Sequence, residues 1–382
     1  MKITSIETFT VSAVWKNWLF VKVHTDHGIH GIGEGTMNGF IKTGEACIHE
    51  LEHLAIGHDP REINSLLRKL LDTVGDAGHI HRLSAAAIET ACWDILGKSL
   101  GVPIYQLLGG KVRDSILGYA NGWYRTERKP AAFVRAAQKA VDKGFHAVKL
   151  DPFGTAQGFI EDDELDLAYE ILRAIRESFP RLRILIDVHA RFTPAEAVRA
   201  AEKLAPLGLY WWEEPTSRER EQPTNEVAQR SPIRVASGEV FDSVAQFFTL
   251  AAGGGVNIWQ PEPMSLGGIS NTLAVAHLAQ AHGSWIAPHQ SGGPVATAVC
   301  LQLAACVPNF LIQEHFDPFN AEWTEDLVTW HPAINPENGH LSLPKAPGLG
   351  LDLNVGVVKQ HPYDVKAFLN INEEGWEQRI GH

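Results

Sequence analysis

From Ser115 onward the chain repeats one unit, a short run rich in β-branched and aromatic residues followed by an amphipathic stretch of helical length. The runs are ILGYANGW, HAVKLD, RILIDVHA, LYWWEEP, RVASGEV, VNIWQPE, SWIAPH and FLIQEH. Between them lies text such as PAAFVRAAQKAVDKG, LDLAYEILRAIRES, TPAEAVRAAEKLA and ISNTLAVAHLAQAHG, whose apolar residues recur at three and four positions, as one face of a helix requires. This alternation specifies parallel βα units, and eight strands suffice to close a barrel. The pattern predicts a barrel over residues 116–320.

Residues 1–115 lack that rhythm. VKVHTDHGIHGIGEG alternates and then turns on glycines, whereas Ser84 to Leu100 is rich in Ala, Ile and Leu, an α+β pattern. Gly109 and Gly110 suit a chain reversal ahead of the first barrel strand. After about Asp317 the repeat stops, and residues 321–382 contain GHLSLPKAPGLGLDLN, loop and short-strand text expected to pack back on the first domain. The expected fold class is α/β: a TIM-type barrel with an α+β N-terminal capping domain completed by the C-terminal tail. A length of 382 residues accommodates both, since such a barrel takes about 250.

The formal charge of −12 argues against a nucleic-acid surface, which needs clustered Lys and Arg. No apolar run reaches the length of a membrane span, and MKITSIETFT alternates like a strand without the apolar core of a secretory signal, so a soluble, cytoplasmic protein is expected. Cys47, Cys92, Cys300 and Cys306 form no C-x-x-C pair and read as packing residues. A small anionic substrate is compatible with the net charge if a bound cation inverts the local field.

Barrel enzymes build their sites at the C-terminal ends of the strands. Asp187, Glu213 and Glu239 end the third, fourth and fifth runs and stand 26 residues apart, one βα repeat each. A single acid at such a place is more often a helix cap. Three in phase bring three carboxylates around one point, where a hard divalent cation, Mg²⁺, relieves their repulsion. Strand alternation turns Glu214 away, into an ion pair or a cap. The same alternation places His189 beside Asp187, and His289 ends the seventh run, so two imidazoles flank the metal as candidate acid and base. Glu262, ending the sixth run, is positioned to orient His289, and Glu314, ending the eighth, to stabilise charge developing on a substrate. Lys149 and Asp151 share the inward face of the second run, with either an electrostatic role or a mutual ion pair. Asn121 and Trp123 line the pocket or pack the barrel mouth. The glycine-rich GIGEGTMNG is no phosphate cradle, since no G-K-[ST] follows, and is expected to form a lid. The loops Val14 to Trp18 and Gly35 to Phe40 are placed to cover the distal hydroxyls of a substrate.

Together these features resemble the enolase superfamily over nearly the whole chain, which implies a (β/α)₇β barrel. DVHARF, WWEEP, SGEVF, APHQSGG and QEH look like the acid-sugar dehydratases of its mandelate racemase-like subgroup, and YANGWYR, KLDPFG and GHLSLPKAPGLGLDLN are similar to gluconate dehydratase. The resemblance implies Asp187, Glu213 and Glu239 as Mg²⁺ ligands, His289 as base, His189 as acid and Glu314 as transition-state stabiliser. The implied reaction dehydrates an aldonate, such as gluconate or galactonate, to a 2-keto-3-deoxy acid in carbohydrate-acid catabolism. Two positions depart from the family pattern: Glu262 stands where Asp is usual, and Lys149-Leu150-Asp151 replaces the K-x-K of racemases. The second departure favours dehydration over the alternative of a racemase, epimerase or cycloisomerase acting through the same enediolate; a metal-binding member without turnover is a further alternative. Association into a homo-oligomer is expected of barrel enzymes of this kind.

Overall fold

The computed structural model describes residues 1–36, 38–72, 78–217 and 221–378; Met37, within the second of the two covering loops, and the last four residues lie outside this set. The chain opens with an antiparallel sheet of β1 (Ile3–Ser12), β2 (Asn17–Thr25) and β3 (His30–Glu34), in that order. Helices α1 (Ile41–Ala55), α2 (Ile63–Asp72) and α3 (His79–Leu100) pack against it around a core that includes Leu19, Val21, Ile48 and Ile88. Helix α3 reaches β3 because the strand presents glycines: a Cβ on Gly33 would lie 2.0 Å from the Ala87 carbonyl oxygen, and one on Gly31 2.0 Å from that of Ala91. Residues 31–34 of the stretch expected to form a lid are therefore buried strand, and two of the glycines there admit a helix.

A short α4 (Ile104–Leu107) leads into the barrel, which alternates strictly: β4 (Ser115–Ala120), α5 (Pro130–Asp142), β5 (Ala147–Leu150), α6 (Asp162–Ser178), β6 (Arg183–Asp187), α7 (Pro194–Leu204), β7 (Trp211–Glu213), α8 (Glu221–Arg230), β8 (Val235–Ser237), α9 (Val244–Gly253), β9 (Ile258–Trp259), α10 (Ile269–His282), β10 (Trp285–Ile286), α11 (Pro294–Cys306) and β11 (Gln313–His315). Neighbours from β4 to β10 pair in parallel, β11 pairs with β4, and a bridge from Ile286 to Phe310 completes the ring. All eight sequence-predicted runs contain a strand, and the (β/α)₇β architecture stands. Tyr119, Ala147, Leu185, Trp211, Ala236, Ile258, Ala287 and Ile312, one from each strand segment, fill the interior. That plug leaves no channel and forces the chemistry onto the rim.

The tail divides its contacts. Its hairpin, β12 (Ile334–Asn335) and β13 (His340–Ser342), adds to the barrel sheet, with β13 antiparallel to β4. Further on, α12 (Val355–Val358) precedes a segment bound to the first domain through the Val11–Pro362 bridge and through Asn17, whose amide donates to the Asp364 and Ala367 carbonyls at 2.8 and 3.0 Å. Packing against the first domain was the sequence expectation; the hairpin on β4 arises because Ser115–Leu117 leaves one edge open to antiparallel pairing.

Two carboxylates of the first domain fasten it to the barrel. Glu89 accepts from the backbone N–H of Ile269 and Ser270 (3.0 and 2.9 Å), and Glu34 from those of Gly293 and Ala296 (2.5 and 2.9 Å). These are the N-termini of α10 and α11, whose own N-cap residues, Gly268 and Gly293, have no side chain to supply. Burial pushes the Glu34 carboxyl up to about 7. Three cysteines are buried and Cys47 is half-buried, all four as free thiols. No helix among the described residues is long and apolar enough to cross a membrane.

Gly33→Ala is expected to destabilise the fold by about 2 kcal/mol or more, because the methyl meets rigid helix backbone and α3 must move. Urea denaturation followed by circular dichroism measures this, and an unchanged midpoint would show that the close approach is not under constraint.

Candidate active site

Period-two alternation continues from the plug to the mouth of the barrel. Two residues beyond Tyr119, Ala147, Leu185, Trp211, Ala287 and Ile312 stand Asn121, Lys149, Asp187, Glu213, His289 and Glu314. The fifth strand departs from this register. Glu239 lies three residues beyond Ala236, and Gly238, at φ 120°, makes the turn that a side chain would resist. Glu214 secures that turn: its carboxylate accepts from Ser237 Oγ at 2.9 Å and from the Gly238 N–H at 2.8 Å. Its capping role, expected from strand alternation, is thus directed at the loop that carries Glu239.

Asp187, Glu213 and Glu239 come together with one carboxylate oxygen from each within 4.8 Å of the others. Lys149, 1% exposed, lies against the same group, with Nζ 2.5 Å from Glu213, 2.9 Å from Glu314 and 3.3 Å from Asp187. Burial alone would lower its pKa, but Glu213 and Glu314 hold it well above the usual lysine value. Of the two alternatives for Lys149, the pair with Asp151 does not form, and its contacts are with the carboxylates of the site. Asp151 lies beyond the end of β5, fully buried, where it accepts from Arg191 Nη2 at 2.5 Å and lies 2.9 Å from His189 Nδ1.

His189 reaches the site by a route that alternation does not describe. Strand β6 ends at Asp187, and His189 and Ala190 adopt φ 50° and 62°, a left-handed turn that swings the ring back over Asp187. Its Nε2 is 3.6 Å from Asp187 Oδ2. Burial opposes charge on the ring, yet Asp187 and the hydrogen bond to Asp151 raise its pKa above the ordinary histidine value. His289 Nδ1 lies 2.8 Å from Glu262 Oε2, and its Nε2 is 3.6 Å from Glu239. Burial opposes this charge too, but Glu239, Glu262 and Glu314 together push the pKa up to about 10. Three strands separate β6 from β10 in either direction around the ring, so the imidazoles enter from opposite walls.

Glu314, fully buried, accepts from the Asn121 amide at 2.7 Å and the Gln290 N–H at 2.9 Å. Asn121, Lys149, Asp187, Glu239 and both histidines line a cavity of about 180 Å³. Glu213, Glu262, Glu314 and Asp151 lie just beneath that surface. Trp123 is on neither level: it packs against Tyr124 and Phe133, and its indole donates to the Lys149 carbonyl at 2.8 Å, so of its two expected roles only packing is realised. A larger groove of about 780 Å³ along α5 contains none of the triad and is not the site of the carboxylate chemistry.

Sequence reasoning missed much of the cavity roof. Trp15 and Asn38 come from the expected covering loops, but Leu369, Ile371 and Trp376 come from the tail, which carries no periodicity to announce them. Trp376 stands edge-on to His189, ring centroids 5.9 Å apart, and its indole donates to the Gly154 carbonyl at 3.2 Å.

The same architecture recurs in known proteins. Residues 4–109 match the mandelate racemase / muconate lactonizing enzyme N-terminal domain, and residues 132–357 match the enolase C-terminal domain-like family. The chain belongs to the enolase superfamily. Among relatives in that superfamily, it is 34% identical to the D-galactonate dehydratase of Verminephrobacter eiseniae (strain EF01-2), over 97% of each chain. It is 30% identical to the D-gluconate dehydratase of Thermoproteus tenax, over 91% of this chain and 71% of that protein. The crystal structure of a mandelate racemase/muconate lactonizing enzyme from Jannaschia sp. CCS1 superposes with a TM-score of 0.87 at 30% identity, covering 95% of this chain and 98% of that one.

The raised His289 pKa has a consequence for this superfamily member that is open to measurement. A group whose folded-state pKa lies above its unfolded value, here about 10 against 6.5, contributes stability that is complete below the lower value and is lost as pH rises through the higher one. With divalent metal removed by chelation, the stability difference between wild type and His289→Asn is expected to shrink steadily from pH 7 to pH 10 in denaturant melts. A difference that stays flat, or grows, would contradict the electrostatic account of the Glu239–His289–Glu262 cluster.

Proposed function

We propose that this chain is a hydro-lyase that converts an aldonate, such as gluconate or galactonate, to a 2-keto-3-deoxy acid, with Mg²⁺ held by Asp187, Glu213 and Glu239. The observation that carries the reading is the pair of imidazoles on opposite walls of a pocket floored by three converging carboxylates. Hard oxygen donors converging from three consecutive strand segments, buried and close together, fit a small divalent cation. Bound there, the ion would supply positive charge for the substrate carboxylate and offset the pull of Glu239 on His289. The curated relatives support a sugar acid as the substrate.

In this mechanism His289 Nε2 removes the proton from the carbon next to the carboxylate, and Glu262 on Nδ1 fixes the ring and its tautomer. His189, kept cationic by Asp187 and Asp151, gives its proton to the hydroxyl leaving the adjacent carbon, which departs as water. The electron pair of the broken C–H bond forms the double bond of an enol, which tautomerises to the 2-keto acid. Asn121, anchored on Glu314, presents a donor to the charge that develops on the carboxylate side, and Lys149 adds fixed positive charge beneath it. Lys149 is committed to three carboxylates and is not free to act as a second base, and this supports dehydration over racemisation.

Incubation with Mg²⁺ and a panel of aldonates, with detection of 2-keto acids, is expected to give turnover of at least one six-carbon member. His289→Asn should lower kcat about 10²- to 10⁴-fold while Mg²⁺ still binds by calorimetry. Exchange of the α-proton in deuterated water without loss of water would identify a racemase or epimerase instead. Silence across the panel from folded, metal-loaded protein would exclude the dehydratase reading.

A further inference from the structure

The turn joining β1 to β2 is strained and clamped. Val14 adopts φ 73°, a left-handed conformation that β-branched residues rarely accept. Trp15, next in the chain, stacks on Phe316 of the barrel with centroids 5.6 Å apart, and its indole N–H donates to Asn320 Oδ1 at 3.0 Å. The Ala13 N–H closes the turn on the Lys16 carbonyl at 2.8 Å. Strain at one residue and an aromatic anchor at the next fix where the third must lie.

That third residue is Lys16. It is 2% exposed, and its ammonium donates to Asn38 Oδ1 and Ser291 Oγ, each at 3.2 Å, while standing 4.5 Å from the Trp15 ring centroid. Trp15, Asn38 and Ser291 all line the catalytic cavity. An ammonium has three protons to donate, and among the described residues two acceptors are present and no carboxylate lies within ion-pair distance. A buried cation short of one acceptor is costly unless a ligand completes the set. Burial lowers its pKa to about 8, with Glu34, Glu262 and Glu314 opposing, so the group remains cationic at neutral pH.

We propose that Lys16 is a specificity-determining residue that donates to a hydroxyl on the part of the substrate not held by the carboxylate triad, selecting long polyhydroxy acids over shorter ones. This rests on the sugar-acid dehydratase reading and adds a residue to it that neither the strand ends nor the two histidines supply.

The test compares wild type, Lys16→Met and Lys16→Arg on a six-carbon aldonate and a four-carbon aldonate, after melts confirm folding. Lys16→Met is expected to raise KM for the six-carbon aldonate about 10- to 100-fold, the loss of one hydrogen bond from a charged donor, with a much smaller change in kcat. KM for the four-carbon acid should change little, and Lys16→Arg should recover part of the loss. Calorimetric binding of the six-carbon aldonate to Mg²⁺-loaded His289→Asn, with and without Lys16→Met, should give the same ratio. Equal effects on long and short acids, or no effect on either, would overturn the proposal. If wild type turns over none of the acids, the dehydratase reading fails, and the same binding ratio measured on the six-carbon and the four-carbon acid still decides whether Lys16 recognises chain length.

Discussion

Mutual repulsion among buried carboxylates governs this molecule. At the separation of the triad, two like charges repel by roughly 3 kcal/mol at an effective dielectric constant near 20, and Glu314 and Glu262 stand close behind. No fold would gather such a set without compensating charge. Part of it is intrinsic: Lys149 lies against three acids at once, and the histidines are held toward their cationic forms by the acids around them. The remaining deficit is what makes a divalent ion a natural occupant. Geometry supports the same arrangement, because interior side chains from all eight strand segments plug the barrel below and leave the acids access only from the mouth.

The parts legible in the sequence were those tied to a period. Eight strands follow from alternating text, and the 26-residue interval between Asp187, Glu213 and Glu239 follows from the length of one βα unit. Where a side chain reaches its position by leaving the period, alternation does not describe its path. His189 arrives through a left-handed turn and Glu239 through a glycine turn secured by Glu214. Asp151 appeared to share an inward face with Lys149, but β5 ends before it, and Arg191 and His189 take it instead. The tail was the least legible: Leu369, Ile371 and Trp376 sit in text without repeat, and only the folded chain brings them over the barrel.

The cavity is thus assembled from three parts of the chain with different constraints. Its floor comes from strand ends and is held by the pairing of the sheet. One side of its roof comes from the β1–β2 turn and the residues after β3, anchored by Trp15 on Phe316. The other comes from the tail, anchored by the Trp376 indole on Gly154. In the proposed reaction the chemistry belongs to the floor, and recognition of the rest of the substrate would fall to the two roofs, whose residues lie outside the strand pairing of the barrel.

The clasp formed by Glu34 and Glu89 sets a condition on that independence. Helices α10 and α11 begin at glycines, and the acids that satisfy their first N–H groups belong to the other domain. A barrel joined to a first domain borrowed from a relative would expose two uncapped helix ends at the junction unless the donor brought carboxylates to the same two places. Exchange of whole first domains as a way of retargeting the enzyme is therefore limited by compatibility at a seam whose residues do not line the cavity.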